Sequence, residues 1–264
     1  MFGKGSLSLL EEYGGDSSDE EVPGPRVSVK RTYDSDSSYP SKRRLPVPSQ
    51  FSNKNENDYV DDPLLHEGRV RSFAHERGNW PSYICIPFEA HMGLQNFLLA
   101  IKKIVPEYIE LKQCNDFHIS LTKTVILRYI WITPFVQSVQ EYIKCFNKFM
   151  IVFGNAKVYC NEEKTRTFIG IEIKSGYDSL LKIVENLNHS LSEYKLPPFY
   201  EDPSFHMSIA WCLGDRQSEL NDCLPEINSI LETLKEIHND DNWYIFVEYL
   251  LGKIGNKQFQ FHLR

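Results

Sequence analysis

Phe117-His118-Ile119-Ser120-Leu121 and Phe205-His206-Met207-Ser208-Ile209 decide how this chain is read. Both run Phe-His-apolar-Ser-apolar. Apolar residues take the odd positions and polar ones the even positions, the period of two of a half-buried strand. Residues i and i+2 of a strand point the same way. His118 and Ser120 therefore share one face, with Phe117, Ile119 and Leu121 on the core side. His206 and Ser208 stand in the same relation to Phe205, Met207 and Ile209. One such strand is explained by packing and a solvated polar face. A matched pair calls for a further reason.

Two imidazoles and two hydroxyls have restricted chemistry. Histidine titrates near pH ~6.5, so near neutrality one ring can serve as base while the other, protonated, serves as acid. Serine hydroxyls are neutral donors that can hold the non-bridging oxygens of a phosphate. The set suits phosphoryl transfer without a metal, for example attack of an RNA 2′-hydroxyl on its own adjacent phosphate. It suits a serine protease poorly. Neither phrase lies in a Gly-x-Ser-x-Gly turn, and no Asp is placed to orient either His.

The extended phrases FHISLTKT and SFHMSIAWCLGD resemble the two-histidine phosphodiesterase superfamily, over a span from about Trp80 to the C-terminus. The longer stretch FYEDPSFHMSIAWCLGD is similar to the branch that trims the 3′ ends of U6 spliceosomal snRNA. The resemblance implies a metal-independent 3′→5′ exoribonuclease without cofactor. Its substrate would be the oligo-uridine RNA 3′ end of U6 snRNA, its product end a 2′,3′-cyclic phosphate. His118 and His206 would be catalytic and Ser120 and Ser208 phosphate-binding. Tyr200, in a Pro-rich loop, would contact the terminal nucleotide; packing against a neighbouring proline is the alternative from sequence alone. The resemblance favours His206 as base and His118 as acid, whereas the repeat itself is too symmetric to decide. A non-catalytic binder of RNA ends and a cyclic-phosphate hydrolase on the same fold stay open. Lys123, in register with the apolar side of the first phrase, contacts phosphate or turns to solvent.

The rest of the chain is consistent with this. Its 264 residues make one or two domains. The net charge is −7, of which residues 1–68 hold −5, with 8 Lys/Arg against 13 Asp/Glu. The remainder is nearly neutral and lacks the basic field of a protein that coats long nucleic acid. The six cysteines show no Cys-x-x-Cys and no paired Cys/His spacing, which argues against a zinc site and a disulfide framework and fits a reduced compartment. No secretory signal or 18-residue apolar run is present, so no membrane partner is expected.

Residues 1–70 read as a disordered, acidic and Ser-rich tail, too poor in apolar surface to offset its ordering entropy. Within it, Lys30-Arg31 and Lys42-Arg43-Arg44 have the spacing of a bipartite nuclear import signal, with a charged, solvated tail as the alternative. A nuclear location and a monomer are expected. The acidic Ser runs are open to phosphorylation. Residues 71–264 read as the two-lobed phosphodiesterase domain. Its fold class is α+β: two pseudo-symmetric lobes, each an antiparallel sheet with outer helices, around a central groove. The pattern predicts strands over 82–88, 117–127, 156–160, 167–173 and 205–213. A closing hairpin spans 243–251 and 257–263, turned at Gly255-Asn256. Helices follow the stripes within 88–105, 139–149, 181–191 and 216–238, the last bent or restarted at Pro225. Thr133 is the expected cap of the second helix, with Pro134 at its first position, and Asp178 the cap of the third. Trp211 is assigned to the core. His66, His75, His91, His189, His238 and His262 are assigned surface or structural roles.

Overall fold

The computed structural model describes residues 76–237 and 243–264, with residues 63, 67, 68 and 73 before them. The tail reading for 1–70, its basic clusters, and His66, His75 and His238 lie outside the described residues, those few positions aside. The elements run β1 (Asn79–Phe88), α1 (Met92–Ile104), β2 (Lys112–Gln113), β3 (Phe117–Ser120), β4 (Val125–Arg128) and α2 (Ile132–Ile143). They continue with β5 (Phe149–Cys160), β6 (Arg166–Ser175), α3 (Tyr177–Glu193), β7 (His206–Leu213), α4 (Gln217–Ile237), β8 (Tyr244–Val247), β9 (Tyr249–Ile254) and β10 (Lys257–His262). The class is α+β, as the sequence predicts.

Ten strands form one antiparallel sheet in the order β10-β9-β1-β3-β7-β6-β5-β8, with β4 beside β1 and β2 beside β7. The two expected lobes are the halves of this sheet. Each contributes four strands to the main path. They meet at β3 and β7, the two strands of the opening phrases, through one paired position, Ile119↔Met207. Ile119, Leu121, Met207 and Ile209 are fully buried in a core shared with Phe97 and Ile101 of α1, Val139 of α2, Leu187 of α3 and Leu231 of α4. His118 and Ser120 of β3 and His206 and Ser208 of β7 are half-buried on the opposite face. One face of the sheet is thus the core, and the other is free to bind.

Several local expectations change. The predicted strand over 117–127 is two strands, because β3 ends at Ser120 and β4 pairs elsewhere along β1. A 3-10 turn at Tyr129–Trp131 leads into α2, so that helix starts at Ile132 rather than after a Thr133 cap. Pro134 then sits within the first turn, where the backbone N–H groups have no helical partner anyway. Phe149 belongs to β5, not to the α2 stripe. The N-cap of α3 is Gly176, at φ +99°, a left-handed conformation that glycine adopts without strain. Asp178 instead places its charge in the first turn. The α4 helix runs unbroken through Pro225. The predicted strand over 243–251 divides at Glu248: β8 pairs with β5, while β9 pairs with β1 and β10.

Candidate active site

Antiparallel pairing at Ile119↔Met207 carries a consequence one residue to either side. Extended by that step, the register sets His118 against Ser208 and Ser120 against His206. The two histidines are then diagonal neighbours, a relation that separates strand positions by ~7–8 Å. A phosphate group fits such a gap. Each histidine lies beside the serine of the other phrase.

Both rings are held the same way. His118 Nδ1 lies 3.1 Å from the Asp116 carbonyl oxygen, and His206 Nδ1 lies 2.7 Å from that of Ser204. A carbonyl oxygen only accepts, so each Nδ1 carries the hydrogen and donates. That fixes the tautomer and leaves Nε2 of each ring to exchange a proton. Ser120 and Ser208 are half-buried on the same face as the histidines.

Burial shifts both rings toward the neutral form. Burial pulls the His118 pKa below the usual 6.5; the bond to the Asp116 carbonyl opposes this, and the nearby Lys253 ammonium adds to it. Burial likewise lowers the His206 pKa against its bond to Ser204, and the charge of His118 lowers it further. That coupling places the two imidazoles in one electrostatic site. Lys253 is ion-paired to Asp116 at 2.7 Å, and Asp116 is held below the usual carboxylate range by that contact. A cleft of about 370 Å³ opens beside His118, lined by Pro87, Asn115, Asp116, Lys253 and Gln258 among others.

The other assignments fall out as follows. Tyr200 is exposed, its ring capped by the Lys123 ammonium at 4.1 Å, and Lys123 reaches Glu162 at 3.2 Å. Lys123 therefore turns to the loop carrying Tyr200, rather than into the core. Trp211 is buried. His91 caps α1, its Nδ1 accepting from the Leu94 N–H at 3.2 Å. His189 packs edge-on against Tyr142, and His262 packs at a tilt against Tyr249. Among the described residues no group of three His, Cys, Asp or Glu is arranged to hold a metal ion. No described helix is long and apolar enough to cross a membrane.

Sequence reasoning missed the aromatic neighbours of the histidines. Tyr83 lies 5.5 Å from His118, centroid to centroid, tilted by 31°. Tyr159 stacks on His206 at 3.6 Å and 12°. The one available signal was Gly170 inside a predicted strand, since glycine there often marks a close approach.

A family profile named HVSL, described as an uncharacterised conserved protein, matches residues 45–262. U6 snRNA phosphodiesterase 1 of Xenopus laevis is 38% identical over 233 residues, 85% of this chain and 92% of that protein. The chain belongs to this family. Relatives bearing the same name include those of Danio rerio, 40% identical over 84% of this chain and 81% of that protein, and of Homo sapiens, 38% identical over 84% and 85%. The chain is thus a homologue of an RNA phosphodiesterase, and the resemblance drawn from its two phrases holds. Usb1 of Kluyveromyces marxianus, solved with uridine monophosphate, superposes with a TM-score of 0.51 over 70% of this chain and 99% of that one. At 13% identity that match is one of fold alone.

Proposed function

We propose that this chain is a metal-independent 3′→5′ exoribonuclease that trims the oligo-uridine 3′ end of U6 snRNA and leaves a 2′,3′-cyclic phosphate. The observation that carries this reading is the diagonal His118/His206 pair, each with Nδ1 tied to a carbonyl and Nε2 left for proton transfer. The penultimate 2′-oxygen attacks the last phosphorus. The bond from that phosphorus to the terminal 5′-oxygen breaks. His206 Nε2 takes the proton of the 2′-hydroxyl, and His118 Nε2–H gives its proton to the departing 5′-oxygen. The proton count closes, and a nucleoside leaves. Ser120 and Ser208 donate to the non-bridging oxygens. Tyr200 stacks on a base, a contact worth ~1–3 kcal/mol.

Both phrases come from one chain, so the site is complete in a monomer. We assign the catalysis to residues 71–264 and nuclear import to Lys30-Arg31 and Lys42-Arg43-Arg44 in the 1–70 tail. The relatives named for U6 snRNA support the choice of substrate.

The test is incubation with a uridine-tailed RNA in EDTA, followed by mass analysis of the ends. Shortened products with cyclic phosphate are expected. Activity abolished by EDTA and restored by Mg²⁺ would reject the acid–base mechanism. A single 2′-deoxy sugar at the penultimate position removes the nucleophile, so that RNA should bind and stay intact. Its cleavage at the normal rate would mean that water attacks instead.

A further inference from the structure

We propose that Tyr159, laid over Gly170, is the positioning residue that fixes the His206 ring for proton transfer. This rests on the acid–base reading above. Tyr159 is on β5 and His206 on β7, with β6 between them. Backbones two strands apart are ~9.5 Å from each other. Rings from such strands meet face to face only if both lean over the strand between and find nothing there. Gly170 supplies that gap. It pairs with Lys157 of β5 and Ser208 of β7. A Cβ at this position would lie 2.9 Å from His206 Cδ2 and 3.1 Å from Tyr159 Cε2. Any side chain here would force the two rings to move.

A second restraint acts on the same ring from its edge. The Ser204 carbonyl accepts from His206 Nδ1 at 2.7 Å, while the Ser204 hydroxyl lies 3.3 Å from the Tyr159 hydroxyl. The loop ahead of β7 thus ties the face restraint to the edge restraint. Together they leave the ring one orientation. Packing for its own sake does not account for the stack, because Tyr159 is on the open face and outside the buried core. The partner site is looser: Tyr83 stays 5.5 Å from His118. The two otherwise similar halves differ here, and His206 is the more tightly held.

The experiment compares Tyr159→Leu, Tyr159→Phe and Gly170→Ala in trimming assays and in proton NMR of the His206 ring. Displacing a catalytic group by ~1 Å can cost ~10²-fold in rate. Tyr159→Leu should therefore lower kcat by about that factor with KM little changed. It should also let water reach His206, so the His206 pKa moves up and the pH limb it governs moves with it. The ring-current shift on the His206 protons should vanish. Tyr159→Phe keeps the stack and loses only the contact with the Ser204 hydroxyl, so it should keep most of the wild-type kcat and an unshifted pH profile. Gly170→Ala is a second route to the same loss, and combining it with Tyr159→Leu should add little.

Wild-type kcat and pH limb in Tyr159→Leu would overturn the proposal. So would a Tyr159→Phe enzyme as slow as Tyr159→Leu. The control is His206→Ala. If it trims normally, the acid–base reading itself has failed; if it is inactive while Tyr159→Leu is not, only the positioning role has.

Discussion

At the scale of single residues, the proposed acid–base mechanism ties the working pH to two lowered histidine pKa values. The base must be deprotonated and the acid protonated, so kcat/KM follows a bell bounded by the two values in the free enzyme. Burial lowers both below 6.5. The rising limb and the falling limb both shift to lower pH, and the maximum of kcat/KM is expected on the acid side of ~6.5. A bound phosphate brings negative charge that favours imidazolium, so the profile of kcat should lie at higher pH than that of kcat/KM. His118→Ala removes the charge that lowers His206, so NMR titration should show the His206 pKa rising in that variant. Replacing either histidine with Ala should cost ~10²–10⁴-fold in rate, with the double variant little worse than the worse single. Ser120→Ala and Ser208→Ala should cost less, because the phosphate keeps other donors. The histidines and serines were legible in the sequence because a two-residue period shows directly which side chains share a face. Tyr159 was not, because its contact depends on which strands lie side by side.

At the scale of elements, the seam between β3 and β7 governs the site. The two halves of the sheet share only the Ile119↔Met207 pair there, and both side chains are fully buried. Truncating a buried side chain of this size costs ~2–5 kcal/mol. Met207→Ala is expected to lower stability within that range by urea unfolding. It should also cut kcat at temperatures where the protein remains folded, since the same pair sets the histidine diagonal. Full activity in a destabilised Met207→Ala enzyme would show that the seam does not set the spacing. Helix stripes and alternating strands were readable along most of the chain. The errors fall where a partner distant in sequence decides. Nothing local to Glu248 announces that the residues before it join β5 and those after it join β1. The turn at Tyr129–Trp131 likewise moves the start of α2 ahead of the residues best suited to cap it.

At the scale of the whole molecule, the charge pattern agrees with the proposed grip on one end of an RNA rather than on its length. The lysines on the rim of the site are each matched with a carboxylate: Lys253 with Asp116, Lys157 with Glu172 and Lys123 with Glu162. Neutralising Z phosphates of a single strand gives a slope of about −0.7Z in log affinity against log salt. Contact with one or two phosphates therefore predicts a slope of only about −0.7 to −1.4, to be measured by titrating the 2′-deoxy RNA at several ionic strengths. Deleting residues 1–44, which precede the family match, should leave trimming in vitro intact and reduce nuclear accumulation. Retained nuclear import in that deletion would remove the role given to the basic clusters.

The division at Glu248 also has a bearing on how the protein is made. The His118 half of the sheet begins with β1 near residue 79, yet two of its four main strands, β9 and β10, come last in chain order. The edge of the other half is β8, which is synthesised just before them. The His206 half lacks its edge until β8 is made and the His118 half lacks two strands until β10 is made, so each half waits on pairings far apart in sequence. Sheets that wait on such distant pairings form slowly and expose their strands meanwhile. A stop codon at Lys257 removes β10 and the fully buried Phe261, and it should yield an insoluble product although every residue of both His-Ser phrases is present.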